Sequence, residues 1–588
     1  MSYTENSSGN VTSAAITDAL GTERNRQFDY ELGVIKNTGL SEGGYSLTKS
    51  YDANGNLTSE TDYNGNLTCY QYDLTHNLES ARVEGFAPGS TCPSDLSTYT
   101  PASASRQRKI QTTWDTALRL PTLITEADHT TAFYYDASGN LLTRTVTDTA
   151  TSQTRTWAYT YNGLGQVLTE DGPRTDVSDV TTNQYYNCTT GSACGQLYTV
   201  QNALGQTTTF NAYNAHGQPT QITDPNGVVT TLAYDSRERL TARCVNGSLP
   251  TCSGGELTAI QYWPTGLLKQ VTLPDGSYTA YAYDDAHRLH QVSDGLGNYV
   301  VYSPDLVGNV TGETTYDPLS TLSTTLSRQY NSLSQLWKQI GAAGTAAVTT
   351  TFGYDGNGNQ TSAAAPLGRN TSIFFDELNR PKQVTDPMAG NTYFDHDAND
   401  NLVSVTDPLN LTTAYTYNGF GDLTSVNSPA TGVTSQTYDS GGNLQSSQDA
   451  RSAVATYSHD ALNRVTQIQY ASGGTPDQTI SFSYDTGANG KGHLTGTSDA
   501  NHALAWTYDA EGHVTSRTQI IGGVTLSAGY GYTNGRLTTL TTPSGQSITY
   551  GYSNGRPTSI SINGSPLLSG VQYEPFGPVR SWSWGNVR

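Results

Sequence analysis

Two G-x-S-x-G stretches, GLSEG around Ser41 and GYSNG around Ser553, carry the residue types of a hydrolase nucleophile elbow, in which a serine Oγ attacks a carbonyl carbon. That chemistry needs a helix directly after the serine, and both stretches run instead into Thr/Tyr-rich segments of strand character. Chance turns account for them. Asp52 to Asn56 (DANGN) and Asp355 to Asn359 (DGNGN) alternate oxygen donors as the opening of a calcium loop does. The distal Glu of such a loop is missing from both, and turn formation explains them more simply. His396 and His459 are candidate bases, yet each stands where sister segments place Tyr, so both are read as aromatic substitutes. No H-E-x-x-H is present. The expectation is a chain without catalytic residues, cofactor or metal.

Six cysteines remain as reactive groups. Cys188 and Cys194 bracket TTGSA, and Cys244 and Cys252 bracket VNGSLPT, both inside insertions containing Gly and Ser. Two local disulfides clipping loops, with Cys69 to Cys92 as the remainder, is the first reading. Free thiols come next, and zinc last, because no C-x2-C pair occurs and no His lies at ligand spacing. Disulfides would place the protein in an oxidising compartment.

The elements that position these residues repeat. Tyr354, Phe375, His396, Tyr417, Tyr438 and His459 recur about every 21 residues, and each opens the same phrase: YDGNGNQT, FDELNRPK, HDANDNLV, YNGFGDLT, YDSGGNLQ, HDALNRVT. The second position is Asp355, Asp376, Asp397, Asp439 and Asp460 in five of these. With looser spacing the phrase extends to Tyr51-Asp52, Tyr135-Asp136, Tyr234-Asp235 and Tyr283-Asp284 before the block and to Tyr508-Asp509 after it. Roughly twenty copies fill residues 51–588, which form one array in place of several domains. Residues 1–50 read as a degenerate segment with one decayed copy headed by Phe28, and TSAAITDAL around Ile16 hints at a helix.

One unit, HDANDNLVSVTDPLNLTTAYTY from His396, contains two turns and two β segments. Asp and Asn cap the first turn, LVSVT alternates with strand period, Pro408 presets the second turn, and LTTAYTY is rich in strand formers. The unit is a β-hairpin leading into the next, and the fold class is all-β: tandem hairpins in one long spiralling antiparallel sheet. Thr, Tyr and small residues occupy both faces, so neither suits a thick core. The signature Tyr and Asp residues are therefore expected to be structural, Tyr as ring area within the sheet and Asp as the turn closure.

Y-D-x-x-G-N/R-L-T followed by T-D-P-x-G resembles the YD repeats of the bacterial rearrangement-hotspot (Rhs) proteins, related to toxin-complex shells and teneurins. The resemblance covers nearly all of residues 51–588. It implies a hollow shell that encloses a C-terminal toxin domain during delivery to another cell, through a secretion system or surface export. The family's core and self-cleavage site are not matched by any residue. The chain stops inside a repeat at YEPFGPVRSWSWGNVR, so the expectation is a fragment, a truncated gene or part of a split shell.

Composition agrees with a folded, β-rich protein, and the resemblance implies that it is secreted or displayed at the cell surface. Hydrophobic residues make up 35% and charged residues 14%, with 39 Tyr, unlike aromatic-poor, charge-rich disordered chains. A net charge of −21 argues against nucleic acid as a partner. A negative lining that holds a basic passenger protein is the sharper reading of that charge. No run of about 18 apolar residues is available to span a bilayer, and no secretory signal is visible. The encapsulating scaffold leads; an adhesin whose Tyr and Asn ladders bind glycans is the alternative, and a β-propeller enzyme of four-stranded blades ranks third.

Overall fold

Asp and Asn close the turns and Thr, Val and Tyr fill the arms, so the chain folds as hairpin after hairpin. The computed structural model describes residues 1–102, 106–341 and 348–585; the end of the tail, Asn586 to Arg588, lies outside them. Among the described residues are fifty strands assigned to one sheet, and no α-helix. Each strand runs antiparallel to its neighbour in the chain, as Asn391–His396 does to Leu402–Thr406 and that strand to Thr412–Tyr417. The hinted helix is not formed. Residues of TSAAITDAL lie in the strand Val11–Thr17, which pairs with Glu23–Glu31. Val11, Thr12, Ile16 and Thr17 are β-branched and stiff, and a ladder on a neighbouring strand outweighs weak local helix preference.

The repeated turn has one geometry. Asp52 N–H donates to Asn56 O at 2.9 Å and Gly55 N–H to Asp52 O at 2.9 Å, and the register shifts by one residue at Tyr51. This is a three-residue hairpin loop whose last residue is left-handed and forms a bulge. Gly55 has φ +77°, and Asn463 takes the same place in its copy with φ +61°. Those are the two residue types that enter this conformation at least cost.

The chain divides into two compact units, each built from separated stretches: Met1–Ala158, Ser303–Gly312 and Leu326–Gly442 form the first, and Tyr159–Tyr302, Glu313–Thr325 and Asn443–Arg588 the second. Because successive strands reverse direction, all turns that follow a signature Tyr fall on one edge of the sheet, and all turns of the T-D-P kind on the other. We call these the YD edge and the DP edge.

Apolar packing is local. In the first unit the insertion after Phe86 folds back over one face, where Leu67, Cys69, Ala81, Val83, Phe86 and Leu96 form a buried cluster against Tyr99. Gln71 Oε1 accepts the Leu96 N–H at 2.6 Å, and the Cys69–Cys92 bond fastens the loop.

Candidate functional site: a seam between the two edges

The signature residues are brought together within each copy. Tyr51, Tyr135, Tyr234, Tyr354, Tyr438 and Tyr508 each donate their hydroxyl to a backbone carbonyl of the preceding copy, of Asn37, Pro121, Pro219, Leu336, Leu423 and Leu494, at 2.6–3.0 Å. Tyr283 ends its strand in the same way, half-buried. Phe375, His396 and His459 occupy that strand end, with the same one-residue register shift. The His396 ring has a buried Nδ1 without a hydrogen-bond partner among the described residues. Burial and then the Arg380 charge push its pKa down.

The following Asp closes the turn with both oxygens. Asp52 Oδ1 accepts the N–H groups of Asn54 and Asn56 at 2.9 Å, and Oδ2 accepts the Asn56 amide at 3.0 Å. Asp136, Asp355 and Asp397 repeat this with Asn140, Asn359 and Asn401. Asp235, Asp284, Asp376 and Asp460 do so with Arg239, Arg288, Arg380 and Arg464. Asp509 Oδ2 lies 3.1 Å from His513 Nδ1, and Asp439 Oδ1 accepts the Gly441 N–H at 2.9 Å. The fifth-position cation then stacks on the next copy: Arg239 lies 4.2 Å from the Tyr262 ring centre and Arg464 4.3 Å from that of Tyr484. The carboxylates of DANGN and DGNGN are thus engaged in the turn. Ser41 lies in the strand Val34–Glu42 and Ser553 ends the strand Ser547–Ser553, away from any helix. The cysteines pair as Cys69–Cys92, Cys188–Cys194 and Cys244–Cys252.

Within each unit the sheet meets itself edge to edge, DP edge on YD edge. In the first unit two turns of like sequence clasp each other: Asn64 donates to Asp355 at 3.0 Å and Asn357 to Asp62 at 2.7 Å. The same two amides accept backbone N–H groups, of Gly356 at 2.9 Å and of Tyr63 at 3.0 Å. A Cβ on Gly356 would come within 2.6 Å of Tyr63 O, so this approach requires glycine. Further along, Arg108 donates to Ala398 O at 3.0 Å and pairs with Asp400. Asp148 accepts the Gly419 N–H at 2.9 Å, and Arg155 pairs with Asp422. The partners stand 267 to 295 positions apart.

The second unit repeats the pattern. Arg174 donates to Asp460 O at 3.1 Å and to Asn463 at 3.0 Å, and Asn226 and the Lys491 backbone exchange bonds at 2.9 and 3.0 Å. Asn246 donates to Glu511 at 2.9 Å and Arg536 to Asp275 at 2.8 Å, across separations of 265 and 261 positions.

Asp148 shows the seam's electrostatics. Its residue is 1% exposed. Burial pushes the carboxyl pKa up, but N–H bonds from Gly419, Thr151 and Ala150 outweigh it and hold the group below its ordinary value. Asp509, Glu511 and His513 also bring donor atoms within 4.8 Å of one another, and Glu256 from the opposite edge lies 4.0 Å from His513. Sequence reading takes Asp509 as a turn residue and misses the cluster, although its three members stand at alternate positions of the single phrase YDAEGHVT; only the neighbouring Glu256 is remote in the chain. The seam residues were equally hidden: nothing in a turn's own sequence names a partner more than 260 positions away.

Six stretches, residues 51–85, 213–248, 262–299, 396–434, 438–475 and 532–564, match the RHS Repeat family. Among curated proteins none matches the chain. Among solved structures, that of TcdB2-TccC3-Cdc42 is similar, at 13% identity and a TM-score of 0.44, over 98% of this chain and 34% of that one. The Photorhabdus luminescens Tc holotoxin pore with a mutated TccC3 is similar at 14% identity and a TM-score of 0.46, over 99% of this chain and 34% of that one. The chain thus spans about a third of the length of these structures.

Proposed function

The chain belongs to the RHS repeat family, and on that premise we propose that it is a non-catalytic encapsulating scaffold: a wall segment of a hollow shell that carries a toxin polypeptide out of the producing cell. The observation that carries this reading is the seam. A hairpin ribbon with no greasy face gains nothing by stacking face on face, but it closes into a wall when its two edges carry matching turns. In each unit the DP-edge turns meet YD-edge turns 261 to 295 positions later through side-chain hydrogen bonds and ion pairs. Such a wall needs no core, which fits the 35% hydrophobic content. The net charge of −21 suits a passenger of basic character and opposes nucleic acid. Disulfides in its insertions fit a secreted or surface location.

Small-angle scattering tests the shape. A solid body of this length has a radius of gyration of about 25 Å. The shell reading expects a larger value with a low-density centre, and a compact particle without one would sink it.

A further inference from the structure

In the first unit a cavity of about 280 Å³ opens at the seam. Its floor is the sheet face carrying Arg144, Arg155 and Trp157, and its wall is formed by the YD turns that carry Asn399 and Phe420. Arg144 pairs in register with Trp157, and its guanidinium lies 4.7 Å from that ring's centre. The Arg155 guanidinium lies 4.2 Å from the centre of the Phe420 ring. Both cations thus sit over aromatic faces, which limits where their guanidinium groups can move.

The polar groups divide sharply into used and unused. Arg155 pairs with Asp422, while its Nε is buried without a partner among the described residues. His129 lies 2.9 Å from Asp128 through Nδ1 and 2.9 Å from Glu126 through Nε2, so both its ring nitrogens are committed. Asn399 donates its amide to Asp128, while its Oδ1 is buried without a partner. Asp148, behind Gly419, is filled by backbone N–H groups. The Arg144 guanidinium, by contrast, bears no hydrogen bond or ion pair among the described residues and rests only on the Trp157 ring. The unused set is a full guanidinium, one further N–H donor and one amide acceptor.

We propose that this cavity binds a hydroxylated carboxylate of monosaccharide size, the chemistry of a uronate sugar. The carboxylate takes the Arg144 fork, the planar bidentate match for such a group. One hydroxyl accepts from Arg155 Nε and donates to Asn399 Oδ1, which satisfies two buried groups that are costly to leave bare. At about 280 Å³ the cavity lies just under the range of about 300–1,000 Å³ usual for ligand pockets, a size that suits one sugar ring. The site is independent of any passenger and gives the wall its own affinity for an acidic glycan end or the free sugar.

Calorimetric titration of the full chain with D-glucuronate, D-glucose and acetate tests the proposal. Glucuronate is expected to bind with Kd on the order of 1 mM, and the other two at least about tenfold more weakly, because each lacks half of the recognised groups. Arg144→Ala should weaken glucuronate binding by about 10- to 100-fold, and Arg144→Lys should recover part of it. Unchanged melting of both variants shows that the fold is kept. Absence of glucuronate binding overturns the site, as does an Arg144→Ala protein that binds unchanged. Acetate binding as tightly as glucuronate overturns the hydroxyl contact. An oligosaccharide ending in glucuronate that binds as well as the free sugar identifies a glycan end as an accessible source; failure of the oligosaccharide alone restricts the site to the free sugar.

Discussion

At the scale of single residues, one rule organises the YD turn: the closing residue must complement the opening one. Where the first residue is Asp, the fifth is a donor, as in Asp136 with Asn140 or Asp460 with Arg464. Where it is Asn, the fifth is an acceptor: Asn162 donates to Gln166, Asn214 to Gln218, Asn331 to Gln335, and Asn418 to Asp422. The alternation that looks like drift in the repeat phrase is hydrogen-bond polarity. Asn418→Asp should therefore set two carboxylates against each other and cost about 1–3 kcal/mol in a denaturant titration at neutral pH. Mutual repulsion raises the folded-state pKa of such a pair, so the loss is present above that pKa and fades as pH falls through it. Asp136→Asn should be nearly silent by comparison, since the Asn140 amide can turn over and accept. A second residue-scale prediction concerns the signature ring. Tyr354→Phe leaves the Leu336 carbonyl, now 2.8 Å from the hydroxyl, without that donor and should cost about 1 kcal/mol. Phe375→Tyr, which supplies the hydroxyl its copy lacks, should give part of that back.

At the scale of elements, the chain departs from its period where cysteines appear. Cys69–Cys92 ties the insertion over Leu67, Val83 and Leu96, while Cys188–Cys194 and Cys244–Cys252 close loops of 6 and 8 positions. Closing the 23-position loop restricts the unfolded chain most, so Cys69→Ser with Cys92→Ser should cost about 3 kcal/mol. Thiol titration of natively exported protein under denaturation should find no free thiol; six would overturn the pairing. The turn at Asp148 predicts how the seam responds to acid. Its pKa is depressed in the folded state, so its contribution is complete above the ordinary carboxylate value of about 4 and is lost as pH falls through the lowered folded value. Hydrogen exchange should then show the amide of Gly419 opening in acid ahead of those in the hairpin ladders. Asp148→Asn, which keeps the acceptor and loses the charge, should weaken that amide's protection at neutral pH and remove its acid dependence.

At the scale of the molecule, the legible and the hidden parts of the fold separate by range of interaction. Hairpins, turn residues and the three cysteine pairings are local, and Tyr-Asp phrases with Pro turns write them into about 21 residues. TSAAITDAL hints at a helix yet forms a strand, because its β-branched residues and the ladder on Glu23–Glu31 together outweigh a weak local helix preference. The seam is invisible for a stronger reason: Asn64 and Asn357 sit in ordinary turn phrases, and only their meeting gives them a partner. Two edges with different fates follow from this. In the first unit the YD turn at Asp355–Asn359 is locked into the clasp, whereas DP-edge tips later in the chain stand clear, with Leu367 92%, Met388 93% and Leu409 78% exposed. Identical insertions should therefore have opposite effects. Six Gly/Ser residues placed after Met388 lengthen a free loop and should shift stability by less than about 0.5 kcal/mol, since loop-closure entropy grows slowly with length. The same six residues after Asn357 pull its amide away from Asp62 and Tyr63, pull Asp355 and Gly356 away from the Asn64 amide, and so strip four hydrogen bonds from the clasp. At about 1 kcal/mol each that is a loss of several kcal/mol, read as a lowered melting temperature and as new protease cleavage in residues 60–66. Equal tolerance at the two sites would mean that the edges are not joined in solution, and the wall would then have to be held by its hairpin ladders alone.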